Sequence, residues 1–463
     1  MINKKQIQEL LNLSLSTGAD FGEIFLENTI NQVIRVNNGE VSAINNANIH
    51  GVGIRLLQGL DEVYGYTNDT SYGAILALLK SLLPSFSATP QKAKPLGDKK
   101  AFSIEEKIPY TKWSTKEKCD RLVELSNLMK SESPLVVQAM ALLLETKQEV
   151  LVANTNGIYQ DDVRLNVRVP LQAAVANEKG MYDMFEGPGR SCGLEIFDLI
   201  DLKAVAKDVV KSAITLLNAD EMEAQVMPVV IHNGFGGVIF HEACGHPLES
   251  SSIAKGLGPF VGKVGQKVAS DIVTAYDKGN IPGTWGSLNY DDEGNPTQDN
   301  LLIENGVLKS YLIDEKGARR MNTKSTGSGR RQSYKFAPTS RMNTTYIAPG
   351  KDKYEDIIKD TKYGLFAKKL GGGSVQPATG EFNFVVLEGY MIENGKITKP
   401  VKGATLIGQG GDVLFKIDKV ADNLELGQGM CGASSGALPT DVGQPTIRVS
   451  AMTVGGAGGK TNV

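Results

Sequence analysis

Apolar positions along the first 220 residues change period several times. Ile7, Leu10 and Leu11 recur at helical spacing and Gly18 offers a stop, so the chain is predicted to open on a helix. Strand-like runs follow at Ile24–Leu26 and Val33–Val36. Asn38-Gly39 then signals a two-residue hairpin, with a return strand in which Val52, Ile54 and Leu56 alternate. A second helix is predicted over 72–83, ended by Pro84. The stretch 84–100 holds Pro84, Pro90 and Pro95 among several lysines and reads as a linker. The order then recurs: a helix over 115–130, apolar strands over 135–144 and 149–153, a turn at Asn156-Gly157, alternating strands over 163–169 and 171–175, and a closing helix over 202–217. This recurrence suggests an internal duplication, although few residues match between the halves.

From about Glu223 the pattern changes. Val226–Ile231 is a buried-strand run, followed by the glycine-rich turn Asn233-Gly234-Phe235-Gly236-Gly237 and a predicted helix. Beyond it the chain is β-rich. Leu302-Ile303-Glu304-Asn305-Gly306 and Met391-Ile392-Glu393-Asn394-Gly395 are near-copies of one hairpin, and a last strand is expected over 446–454. The expected fold class is α+β. An N-terminal α/β domain over 1–220, in two segments joined by the linker, precedes a β-rich domain over 221–463.

Composition narrows the function. The 463 residues include 49 basic and 52 acidic side chains, and 49 minus 52 leaves a net charge of −3. That balance argues against nucleic-acid binding through bulk charge. Glycine, at 51 residues, exceeds its usual ~7% share and favours tight turns and strands. No apolar run approaches the ~18–20 residues of a membrane span, and 1–15 lacks the apolar core of a signal peptide. Four cysteines make no disulfide framework, so a cytoplasmic location with reduced thiols is expected.

The chemistry concentrates in one place. Two of the four histidines lie in His241-Glu242-Ala243-Cys244-Gly245-His246, an HExxxH spacing one residue longer than the HExxH of many zinc peptidases. At ~100° per residue, positions five apart on a regular helix diverge by about 140° and cannot address one ion. Either a π-bulge or a helix that ends between them repairs this. Gly245 and Pro247 favour the second, because proline disfavours helical geometry at His246. A catalytic zinc also needs a third protein ligand and an open position. The sulfur candidates are Cys244, three residues after His241, and Cys431, in the apparent loop Gly427-Gln428-Gly429-Met430-Cys431-Gly432. Cys119 falls at helical core spacing and Cys192 in a Gly/Ser loop. His50 and His232 read as structural or surface residues, with His232 close enough in sequence to stand behind the site. Gly327-Ser328-Gly329-Arg330-Arg331 reads as a solvated basic loop, with contact to a phosphate or an acidic group as the alternative. Walker A and dinucleotide spacings are absent.

The run from Phe235 to Glu249 (FGGVIFHEACGHPLE) resembles the signature of the TldD/PmbA family on its TldD side. The family was first described as modulators of DNA gyrase and later as metallopeptidases. Gly371-Gly372-Gly373 through Pro377-Ala378-Thr379-Gly380-Glu381-Phe382 and the Cys431 segment extend the similarity. The resemblance implies a zinc peptidase with His241, His246 and Cys431 as ligands and Glu242 as general base. It also implies substrates that are unfolded chains or leader peptides, and a dimer, often with a PmbA/TldE-type partner lacking the metal motif. A His₂Cys set suits iron(II) as well as zinc. The alternatives are a regulatory binding protein with a structural metal and a non-peptidase metal amidase. Gly371–Gly373 reads either as a plain turn or as a place where a peptide backbone approaches closely.

Overall fold

The computed structural model describes residues 2–376 and 379–456. Pro377 and Ala378 of the family-like run therefore lie outside the described residues. The fold is mixed α+β and rich in strand.

The first half builds one nine-stranded sheet. Helix α1 (Lys4–Ser14) starts at an Asn3 capping box, and β1 (Phe21–Asn37) and β2 (Glu40–Gln58) form a long hairpin. Its turn, Asn38-Gly39, has φ of 52° and 84°, the left-handed pair that lets two residues reverse a twisted strand. β3 (Asp61–Thr67), helix α2 (Tyr72–Leu82), β4 (Lys100–Ser103), helix α3 (Thr115–Ser131), β5 (Val136–Asn154), β6 (Tyr159–Arg168), β7 (Leu171–Asn177), β8 (Gly180–Glu186) and β9 (Gly189–Arg190) follow. The central order is β3-β2-β1-β5-β6-β4. The two segments share this one sheet, but the first contributes three strands between its helices, β1 to β3, and the second five, β5 to β9. The expected linker is not loose. Phe86 and Leu96 are buried, and Ala88, Gln91, Lys94 and Gly97 donate main-chain hydrogen bonds to Thr17, Leu15, Thr155 and Gly157. Its prolines interrupt helix and strand pairing, yet the residues between them keep enough donors to tie it to the end of α1 and the β5–β6 turn.

Alternation along β1 gives the sheet two covered faces. Ile24, Ile54 and Leu56 pack with Leu10 and Leu11 of α1 and Ile75 and Leu79 of α2. Ile34 and Val36 pack with Leu122 and Met129 of α3 and Val209 and Ala213 of the helix Leu202–Leu217. The opposite face presents Glu23, Phe25 and Glu27 to the second half of the chain.

That half begins with β10 (Asp220–Glu221) and β11 (Gln225–Ile231), and continues through β12 (Ala275–Lys278), β13 (Asp299–Glu304), β14 (Val307–Leu308), β15 (Gly329–Arg330), β16 (Thr339–Ser340) and β17 (Thr344–Ile347). β18 (Tyr363–Gln376), β19 (Glu381–Glu393), β20 (Lys396–Lys402), β21 (Thr405–Gln409), β22 (Ile417–Val420), β23 (Glu425–Ala433), β24 (Gly436–Gln444) and β25 (Ile447–Gly455) complete it. β18, β11, β25, β21 and β19 pair in turn, and β19 returns to β18, so these five close into a ring. A six-stranded sheet, β14-β13-β12-β17-β24-β23, lies beside it with β23 outermost. Gly371–Gly373 is neither turn nor loop: it forms a bulged stretch of β18, with the register shifting between Leu370 and Gly373.

Buried charge joins the halves. Arg55 is fully buried between Glu23 at 2.9 Å and Glu293 at 2.7 Å, and Arg164 reaches Asp292 at 2.6 Å. Arg331, expected on a solvated loop, is buried against Glu23, and Arg330 is buried beside it. The acidic contact foreseen as the alternative is intramolecular. Removing one partner of such a cluster strands the others without solvent. Arg55→Met should therefore lose about 3–5 kcal/mol of stability, read by urea unfolding. A loss below about 1 kcal/mol, the range of an exposed pair, would contradict the bridging role.

Candidate metal centre

The histidine segment is a composite of short turns rather than one continuous helix. A 3₁₀ turn (Gly234–Gly237) and one α turn (Val238–Phe240) lead into a π turn over His241–Gly245, and a 3₁₀ turn (His246–Leu248) closes it. The His246 N–H donates to the His241 carbonyl. In a π turn, residues five apart are bonded neighbours, as residues four apart are in an α-helix, so the HExxxH spacing brings both imidazoles to one side. The repair is therefore the π-bulge, and the expectation of non-helical geometry at His246 fails: its φ of −58° and ψ of −44° are helical. Pro247 is tolerated because it opens the next turn, where its missing N–H costs nothing.

Two close approaches seat this segment. A Cβ on Gly237 would fall 2.4 Å from the backbone of Gly443 in β24, and one on Gly245 would fall 2.0 Å from Met342 Sδ. The first lets the turn abut the β23–β24 hairpin, and Cys431 is carried in by that hairpin. Its surroundings are not a loop, because Cys431 pairs with Leu438 across an antiparallel ladder.

Cys431 Sγ lies 3.3 Å from His241 Nε2 and 3.2 Å from His246 Nε2. All three donor atoms fall within 4.8 Å of one another, and the rings stand at 83°. His246 Nδ1 meets Glu249 Oε1 at 3.1 Å, which fixes the tautomer and turns Nε2 toward the sulfur. Glu242 borders the triangle with Oε2 3.7 Å from His246 Nε2, and its side chain is 21% exposed. Burial works against a Cys431 thiolate, but the two imidazoles outweigh it and lower its pKa to about 3. Burial likewise opposes a charged His246, yet Glu249 and Cys431 hold its pKa well above the ordinary value.

The donor set fits a metal. Zinc bound at ~2.3 Å to sulfur and ~2.0–2.1 Å to nitrogen in tetrahedral array requires S···N separations of about 3.5 Å. The measured separations need to open by only a few tenths. Cys244 lies apart from the triangle: it is fully buried in the apolar core with Phe240, Ala243 and Leu248, and burial pushes its thiol up. Cys119 and Cys192 are buried elsewhere, His50 is exposed on β2, and half-buried His232 contacts Thr446 rather than the triangle.

Family models match almost the whole chain: the PmbA/TldA metallopeptidase C-terminal domain over 224–456, the central domain over 108–217 and domain 1 over 22–83. The chain belongs to the PmbA/TldD metallopeptidase family. A metalloprotease TldD homolog of Buchnera aphidicola subsp. Acyrthosiphon pisum is 34% identical over 469 residues, covering 98% of this chain and 96% of that protein. The Haemophilus influenzae metalloprotease TldD homolog is 37% identical over 422 residues, covering 88% and 86%. TldE from Thermococcus kodakarensis shares the fold, with a TM-score of 0.76 at 19% identity over 97% of this chain and all of that one.

Two side chains that touch the triangle went unassigned in the sequence. Glu249 lies three residues after His246, a legible helical neighbour. Arg341, which donates to the Cys431 carbonyl, carries no local signal.

In metal-free protein, the ultraviolet thiolate signal at neutral pH should disappear in Cys431→Ser and persist in Cys244→Ser. The folded Cys431 value lies below the unfolded ~8.5. Its contribution to stability is thus full above that pH and is lost as pH falls toward 3. A wild-type protein without a thiolate at neutral pH would contradict this.

Proposed function

We propose that the protein is a zinc peptidase acting on extended or unfolded chains, with His241, His246 and Cys431 as ligands and Glu242 as general base. The observation that carries this reading is the convergence of three soft and imidazole donors beside a partly exposed carboxylate, in a chain of a metallopeptidase family. A purely structural metal site has no use for that carboxylate. Zinc held there supplies a Lewis acid for the scissile carbonyl and brings the pKa of water down toward ~7. Glu242 takes the proton from the attacking water and delivers it to the leaving amine nitrogen. Glu249 keeps His246 oriented throughout.

Glu242→Gln should keep its metal and lose about 10²–10⁴-fold of peptide hydrolysis, measured on an unfolded peptide with metal content assayed in parallel. Normal cleavage at full occupancy would remove Glu242 from the role. Cys431→Ala should lose metal and activity together, whereas Cys244→Ala keeps both. Metal lost from the second variant and retained by the first would reverse the assignment.

Substrate is read as adding along β23, the outer strand that bears Cys431. Arg168 and the Trp285 indole already occupy the carbonyls of Gln428 and Gly429, while Met430, Gly432 and Ala433 are exposed. A cleft of about 640 Å³ lined by Arg168, Phe185, Phe235, Lys369, Leu387 and Gln428 continues beside the strand. Main-chain pairing recognises extension rather than sequence, which suits both unfolded chains and leader peptides. Efficient cleavage of a stable, loop-free folded domain would contradict it.

The same reading makes the protein cytoplasmic, with its four buried cysteines reduced, and places it in a dimer with itself or a TldE-type paralogue. The solved TldE of like fold supports the pairing. Light scattering of the chain alone and mixed with such a paralogue checks it, and an active monomer in both samples would count against it. Among the described residues, no helix is long and apolar enough to cross a membrane.

A further inference from the structure

We propose that Arg341 and Met342 form the post that fixes the distance between the two halves of the metal centre, with Arg341 as the positioning residue for Cys431. This rests on His241, His246 and Cys431 being the ligands.

The two halves come from segments 190 residues apart, the π turn and β23. A metal site tolerates only a few tenths of an ångström in donor positions, so something between the halves must be rigid. Residues 341–342, just before β17, touch both. Arg341 is 1% exposed and directs its guanidinium at the β23–β24 hairpin. Nη2 donates to the Cys431 carbonyl, and Nη1 donates to Ser435 Oγ at 3.0 Å and to the Gly436 carbonyl at 2.8 Å. One planar fork therefore ties the ligand residue to the turn of its own hairpin, which a lysine cannot reproduce. All these acceptors are neutral, and among the described residues Arg341 forms no ion pair. A buried guanidinium without a carboxylate is costly, and a merely structural hairpin brace could be made from a neutral side chain.

The next residue serves the other half. Met342 is fully buried, and its sulfur occupies the space over Gly245, inside the π turn between the two histidines. The post is itself anchored. Arg330 donates to the Met342 carbonyl and, at 2.9 Å, to Pro439 of β24. The Asn343 N–H reaches Asp277 Oδ1 at 2.9 Å, and the Asn343 carbonyl accepts from Asp441 N–H at 3.0 Å. Consecutive side chains thus contact the sulfur-bearing hairpin and the imidazole-bearing turn, and their common backbone cannot slide.

The test is metal binding by the full chain stripped of metal. Zinc affinity is measured by competition with a chromophoric chelator, and site geometry by the visible spectrum of added cobalt(II). Arg341→Lys should weaken zinc binding about 10-fold to 100-fold and alter the cobalt spectrum. Met342→Ala should alter the spectrum as well. Leu122→Ala in the distant α3 is the control: it should lower the melting temperature and leave both metal readouts unchanged. If Arg341→Lys does not fold, Ser435→Ala, which removes one anchor of the fork, should still weaken binding measurably. Wild-type affinity and an unchanged cobalt spectrum in folded Arg341→Lys, or in Ser435→Ala where the lysine variant fails, would overturn the post alone. A wild-type chain that binds neither metal would overturn the ligand assignment, and the post with it.

Discussion

A sulfur and two imidazole nitrogens must share a space a few ångströms wide, although 190 residues separate the first histidine from the cysteine. Most of the second half of the chain can be understood from that demand. The five-strand ring supplies a rigid floor on which the short turns bearing His241 and His246 rest, with Phe240, Ala243, Cys244 and Leu248 packed into its core. The six-stranded sheet brings Cys431 across on its outermost ladder. The backbone contact at Gly237 and Gly443 sets how closely the two bodies approach. Stability is spent on this alignment rather than maximised. Arg55, Arg164 and Arg331 are charges removed from water and matched by Glu23, Glu293 and Asp292, an arrangement that favours one relative placement of the halves over mere compactness.

Much of this was legible from residue types. Turn signals with a mechanism, such as Asn38-Gly39, Asn305-Gly306 and Asn394-Gly395, fall at tight hairpins in which the asparagine has positive φ. The helices expected over 72–83, 115–130 and 202–217 stand within a residue or two of their ends. Local periodicity decides such elements, so a local reading finds them. The histidine–carboxylate run was legible too, because its chemistry is packed into six consecutive residues.

What escaped depends on contacts between distant segments. The stretch 84–100 looks like a linker because prolines and lysines are what linkers contain, yet the same stretch finds main-chain partners at the end of α1 and in the β5–β6 turn. Arg330 and Arg331 look solvated because nothing nearby in sequence balances them. Their surroundings come from Glu23, Asp292 and the β23–β24 hairpin. Glycines around Cys431 suggested a loop, whereas they lie in the paired strand β23, where Gly427 lets the strand pack closely on Phe235 of the neighbouring turn. The choice between a π-bulge and a broken helix went the wrong way for a related reason. Pro247 argues locally for a break, but the hydrogen bond from His246 N–H to His241 O keeps the chain helical by another register.

That register shift makes the length of the segment and the geometry of the centre separable. A π turn is an α turn that has accepted one additional residue without losing its axis, so an HExxxH segment is topologically an HExxH segment plus an insertion. The surplus is stored where it does no harm: Ala243 and Cys244 face the apolar core, away from the donors. Two segments that differ by one residue between their histidines can therefore present the same pair of imidazoles. Counting residues between histidines is a poor guide to whether two such centres share a geometry, and counting hydrogen-bond registers is a better one.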